Sequence, residues 1–203
     1  YEEFGRILSR KKFKNKSFIF LPNKKIKSKE IIFSKYYILA IDAEIFHHHS
    51  NKPDIDIKKK LIKFENVLNK MPVLISGGNF KNWTIKYTSK KLLDIKNQNR
   101  SLEKERTNIY GYTGCLNFVN SKFNMTNISV NNSECEDSIN IINSRGLINN
   151  LYVDNAFQDG LDVDFSNLKI LNSYVNGAGN DCIDFSGGIY FLNKVKTYNC
   201  SDK

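Results

Sequence analysis

A chain of 203 residues with a formal charge of +10 and 40% hydrophobic residues can bury one extended core and needs no second domain. No apolar run approaches the roughly 20 residues of a membrane-spanning helix, and the four cysteines, Cys115, Cys135, Cys182 and Cys200, show none of the close pairs of a zinc site. The charge is uneven: 25 of the 31 basic residues precede Thr107, and from Thr107 onward 10 acidic residues outnumber 6 basic ones.

In chain order, 1–16 is basic and weakly patterned, densest at Arg10-Lys11-Lys12. It reads as a polar cap over the apolar end of a repeat core. No reader motif accompanies the charge, so nucleic acid is not an expected partner. Between 17 and 46 lie three strand-like pieces, SFIFL, EIIF and YYILAIDAEIF, the first followed by the turn Pro22-Asn23-Lys24-Lys25; they read as irregular first coils. His47-His48-His49 would point in alternating directions on an extended chain, so the triplet reads as a surface turn rather than a chelator. The charged stretch 51–60 reads as a loop, and 61–68 as a strand or a short helix. From Met71 a repeat register emerges in MPVLISGGNFKNWTIKYTS, aligning Asn82-Trp83-Thr84-Ile85 with the later Asn127-Ile128-Ser129-Val130 and turning Trp83 inward. The polar stretch 94–112 reads as an insertion between coils. The expected organisation is one continuous domain, with an N-terminal cap and irregular coils over 1–70 and repeats over 71–203. Beginning at Tyr1 and stopping as a further repeat opens, the chain reads as a fragment.

The remainder repeats itself. Lines begin at Gly114, Asp137, Asp159 and Asp181, spaced 23, 22 and 22 residues apart, a period in the range of solenoids. Leu116, Ile139, Leu161 and Ile183 share one register, and Phe118, Ile141, Val163 and Phe185 follow two residues later. Asn117, Asn140, Asp162 and Asp184 stand between them, an alternation with the period of a strand. A second strand follows in each line, preceded by Asn127, Asn150 and Asn172, with Lys194 breaking that column. Short strands joined by Asn, Gly and Ser turns, stacking at about 4.8 Å per coil, predict an all-β fold, a right-handed parallel β-helix. The helical half of a leucine-rich repeat is absent. Cys115 and Cys182 occupy one repeat position three coils apart, too far to bond to each other, and the four cysteines read as buried thiols.

On these repeats the chain resembles the right-handed parallel β-helix proteins of the pectate-lyase-like architecture. EDSINIINSRG, NAFQDGLDVDFSN and GNDCIDFSGG further resemble bacterial β-helix proteins associated with spore-coat-kinase-like proteins. The resemblance covers 113–203 and is faint before it. It implies a secreted or cell-surface location.

The chemistry expected of the repeats is acidic. With Leu161 and Val163 inward, Asp162 and Asp164 face outward and Asp184 stacks on Asp162, while Asp137, Asp159 and Asp181 share the preceding turn. Carboxylates one coil apart repel and raise one another's pKa, so a cation, a proton or a basic partner is expected beside them. Three readings follow. NAFQDGLDV and GNDCIDFSGG are similar to polygalacturonase-type glycoside hydrolases, which implies Asp159 and Asp181 as catalytic acids. Asn180 replaces one carboxylate of that pattern, and the family's Gly-His-Gly is not seen. A calcium-dependent lyase would use the same face with a basic residue that the repeat does not supply. In a binding module, Asp162 and Asp184 would hold a divalent cation, calcium for oxygen ligands. A glycan would then lie along Asp162, Asp164, Asp184, Asn140 and Asn117, with Tyr152 and Tyr174 stacked outward on the other sheet. In a scaffold for a polysaccharide or another surface protein, Asp and Asn would only cap turns and form ladders.

Overall fold

The computed structural model describes residues 27–28, 31–48, 52–67, 71–90, 107 and 111–202. The basic segment 1–16 and nearly all of the expected insertion lie outside the described residues.

The chain forms a β-solenoid of about five turns, a parallel β-helix as the alternation predicts. Its later coils are built from β9 (Gly114–Val119), β10 (Lys122–Ser133), β11 (Asp137–Ile142), β12 (Arg145–Ala156), β13 (Asp159–Asp181) and β14 (Ile183–Asp202). Leu116, Ile139, Leu161 and Ile183 stack in register, as do Phe118, Ile141, Val163 and Phe185. On the second strand Val130, Val153 and Val175 do the same. All of these are buried except Ile183 and Phe185 of the last coil, which are half-buried. Each fully buried aliphatic or aromatic side chain contributes roughly 1.5–3 kcal/mol before chain entropy is subtracted. Phe80, Phe118 and Phe123 add an aromatic cluster with centroids 5.3–6.0 Å apart.

The recurrent asparagines have a backbone cause. Two corners of the coil require the left-handed region. At one, Asn132, Asn155, Gly177 and Asn199 have φ of 56°, 62°, 73° and 53°; at the other, Asn120, Asn143, Phe165 and Gly187 have 56°, 45°, 48° and 60°. Asn and Gly tolerate that conformation best. The side chains then tie the coils together: Asn150 donates to Asn127 Oδ1 at 2.7 Å, Asn172 to Asn150 at 3.1 Å and Asn155 to Asn132 at 2.9 Å. Ser121, Ser144 and Ser166, each following the left-handed residue of the second corner, form a buried ladder inside it.

The earlier part of the chain differs from the expectation of irregular coils. β2 (Ile31–Ile38) and β3 (Ala43–His48) form an antiparallel hairpin about the 3-10 turn Leu39–Ile41, with the two-residue β1 (Lys27–Ser28) pairing antiparallel to β2. β3 runs antiparallel to β6 (Val73–Gly77), and β6 pairs in parallel with β9. The stretch read as a loop contains β4 (Asp54–Asp56), hairpin partner of β5 (Leu61–Val67). β7 (Asn79–Lys81) and β8 (Thr84–Ser89) stack under β10, and β5 under β8. The hairpins thus lie against the first coil, the work expected of the basic terminus. Among the described residues there is no α-helix.

Three expectations are corrected. His47 is fully buried in β3, its ring 5.0 Å from that of Tyr36, rather than in a surface turn. The first-coil register is slipped by two: Ile85, not Trp83, pairs with Ile128. A slip of two leaves the same faces inward, so Trp83 is still buried. The cysteines are paired, Cys115 with Cys135 and Cys182 with Cys200, at Cα separations of 5.2 and 5.5 Å. Separations of 20 and 18 residues are nearly one coil, so each pair meets where the chain has come round once.

Candidate functional site

An acidic cluster is built on the strand that opens each coil. Its central outward column runs Leu74, Asn117, Asn140, Asp162, Asp184. Leu74, Asn117 and Asn140 are buried, Asp162 is half-buried and Asp184 exposed, so the column passes from covered to open as it becomes acidic. Asp164 occupies the next outward position of its coil, paired with Ile142 and Ser186. Asp137 and Asp159 stack at the preceding corner, as their shared repeat position predicts, and are 2% and 6% exposed.

The hydrogen bonds divide these residues by role. Asn117 is consumed by backbone: its Oδ1 accepts the Gly114 N–H at 3.0 Å, and its amide donates to the carbonyls of Val73 and Gly114 at 3.0 and 2.7 Å. It locks its own corner and has no atom left for a ligand. Asp159 Oδ1 accepts the backbone N–H of Asp181 at 2.9 Å and the side-chain amide of Asn180 at 2.8 Å, both from the following coil. Asn180 also donates to Asp181 Oδ2 at 3.2 Å. Asn140 reaches the other way, donating Nδ2 to Asp162 Oδ2 at 2.9 Å and to Asp164 Oδ2 at 3.4 Å, so one amide bridges two carboxylates.

Two buried acceptors remain unpartnered here, Asp137 Oδ2 and Asn140 Oδ1. A buried polar atom without a partner costs about 1–3 kcal/mol. Burial raises the Asp137 carboxyl well above the usual carboxylate range, and nearby Asp162, Asp159 and Glu136 push the same way against a hydrogen bond with Thr113. Asp162 is likewise raised, first by desolvation and then by Asp164, Asp184 and Asp159, with a hydrogen bond from Asp137 partly offsetting them. Near neutral pH this cluster therefore holds a proton that isolated aspartates would have released. The available donors are oxygens, the type that suits calcium rather than zinc. Among the described residues, no three His, Cys, Asp or Glu side chains are disposed to hold a metal ion.

Tyr152 and Tyr174 lie on a different strand of the coil. Their rings are 5.0 Å apart and within 4° of parallel, with Lys196 next in register. Tyr198, which the repeat pattern did not single out because it lies in a neighbouring column beside Asn176, tilts against Tyr174 at 5.7 Å. The tyrosines and the acidic column thus belong to separate outward faces.

No family model, no curated protein and no solved structure matches the chain. The fold and the placement of these side chains are accordingly what the functional reading rests on. Among the described residues no helix is long and apolar enough to cross a membrane.

Proposed function

We propose that this β-solenoid is a non-catalytic binding module of the pectate-lyase-like type, taking a divalent cation, calcium by its oxygen donors, at the stacked pair Asp162 and Asp184 rather than at a preformed three-carboxylate centre. The observation that carries the reading is the bridge from Asn140 Nδ2 to Asp162 and Asp164, made by an amide whose own buried Oδ1 lacks a partner. A single weakly positive amide edge faces two carboxylates, with a third one coil away. A cation there would neutralise more charge than the amide does, drawing the carboxylates together from their present positions. The two pairs of cysteines favour an oxidising compartment, in keeping with a secreted or cell-surface protein.

The test is thermal unfolding of chelator-treated protein over a calcium series at fixed ionic strength. Calcium at about 100 times its dissociation constant adds roughly 2.7 kcal/mol, which raises Tm by about 5–10 °C in a domain of this size. Asp162→Asn with Asp184→Asn removes that rise. A Tm indifferent to calcium overturns the reading.

Polysaccharide cleavage by Asp159 and Asp181 is the rival. Against it stands the engagement of Asp159 Oδ1 by two donors of the next coil, which suits a corner brace better than an acid exchanging protons with substrate. Turnover of polygalacturonate, abolished by Asp159→Asn with Asp181→Asn, would restore it.

A further inference from the structure

The short strand that turns each coil's corner presents two outward positions, and over four successive coils one of the two is a cation. The pairs are Asn79 and Lys81, Lys122 and Asn124, Arg145 and Leu147, Asn167 and Lys169. Lys81, Lys122, Arg145 and Lys169 are all exposed. Lys122 lies directly opposite Arg145 in the ladder. At about 4.8 Å per coil such neighbours repel, and like charges placed opposite one another are destabilising.

Among the described residues no acid relieves that repulsion, and Lys169 only faces the Phe191 ring, 4.8 Å from its Nζ. The ion pairs among the described residues are Lys35–Glu44, Lys59–Asp56, Lys63–Asp54 and Lys63–Glu65, and none uses the ladder. At its N-terminal end the ladder enters a cavity of about 500 Å³ lined by Lys60, Lys81, Lys122, Asn79, Trp83 and Asp42, among others. Lys60 is fixed there by donating to the Lys81 carbonyl at 3.3 Å, and the single acid, Asp42, accepts the Tyr37 hydroxyl. Three lysines therefore line a recess with one carboxylate.

We propose that this corner binds a linear anionic glycan lying along the solenoid axis, its acidic groups set against Lys81, Lys122, Arg145 and Lys169 and one of them seated in the recess beside Lys60. The rise per coil is close to the advance of one sugar along an extended chain, so charge can repeat in step with the cations. Asn79, Asn124 and Asn167, interleaved with them, both donate and accept, as sugar hydroxyls require. Single-stranded nucleic acid fits less well, because its sites need a run of aromatic faces for successive bases: none of the eight outward positions of the ladder is aromatic, Trp83 in the recess is only 3% exposed, and the Phe191 ring beyond the last cation is faced by Lys169 Nζ at 4.8 Å. The site is independent of the acidic cluster and stands whether or not that cluster takes a cation.

Binding of the 203-residue chain is measured by calorimetry against a heparin-type sulfated oligosaccharide, a polyuronate, neutral dextran and single-stranded DNA of matched charge density. The expected result is binding of one or both acidic glycans, which identifies sulfate or carboxylate as the preferred group, and none of dextran. Lys122→Glu with Arg145→Glu weakens it by about tenfold or more, as losing contacts to charged groups does. Lys86→Glu with Lys90→Glu makes the same change in net charge elsewhere and weakens it by less than about twofold, the remainder being long-range field. Should the charge reversals unfold the chain, Lys81→Gln with Lys169→Gln reads the other two cations of the ladder by the same loss of affinity. Equal losses in ladder and control variants, DNA binding as tight as the glycans, or no glycan binding at low salt would each overturn the proposal.

Discussion

Asp159 Oδ1 accepts the backbone N–H of Asp181 across 2.9 Å, so an acid of one coil holds the opening of the next. The same oxygen takes the amide of Asn180. Asp159→Ala strands both donors at a nearly closed corner and is expected to cost about 1–3 kcal/mol. Asp159→Asn keeps an acceptor in place and should cost under about half of that. Urea unfolding of the three proteins checks the order, and equal stability of all three would show that the corner does not depend on this bond.

Asp137 supplies the pH dependence. Its carboxyl is pushed up from the ordinary aspartate value to about 8, mainly by burial. The folded state thus binds a proton more tightly than the unfolded chain, so this group's contribution is present in full below the unfolded pKa. It is lost as pH rises through the folded value. In chelator, Tm is expected to fall between about pH 4 and pH 8. Asp137→Asn, which mimics the protonated acid, should flatten that slope and recover on the order of 2 kcal/mol at pH 8. A slope unchanged in the variant would place its origin elsewhere.

Phe165 occupies the left-handed corner column otherwise filled by Asn120, Asn143 and Gly187, with φ of 48° and 71% exposure. A bulky residue gains little burial there and is held in a conformation costing about 1–2 kcal/mol. Phe165→Asn should therefore stabilise the protein by roughly 0.5–1 kcal/mol, read as a rise in the urea midpoint at unchanged m. A loss of stability would mean that Phe165 packs productively on its corner.

The cysteine pairs close loops of 20 and 18 residues. Thiol titration of protein unfolded without reductant is expected to find none free. Cys115→Ser with Cys135→Ser should cost about 3 kcal/mol, the chain-entropy value for a loop of this length. Four titratable thiols would restore the reading of buried, unpaired cysteines.

The period and the inward columns were legible before any coordinates, because a strand's two faces alternate by residue and a 22- or 23-residue spacing repeats that alternation in phase. Leu116, Ile139, Leu161 and Ile183 stack as their shared register predicts. Asp162 and Asp184 are neighbours for the same reason, as are Tyr152 and Tyr174. Burial of the outward positions was not legible. Asn140 and Asp137 sit at positions equivalent to those of Asp162 and Asp159, yet Asn140 is 1% exposed and Asp162 half-open. What covers a face is set by the rest of the chain rather than by the repeat.

The cysteine pairs were missed by comparing equal repeat positions, when a coil brings its own two ends together. The basic ladder was hidden for a related reason. Its members lie 41, 23 and 24 residues apart and are divided between two columns, Lys122 and Arg145 in one and Lys81 and Lys169 in the other, so no single register contains them. What the amino-acid order by itself determined is the rung: its length, its inward face and the residues allowed at its corners, all local properties of a strand and its turns. Only the tertiary structure decided which polar groups lost their water, which sulfurs met and which charges became neighbours. Those outcomes depend on distances between segments that local preference does not encode.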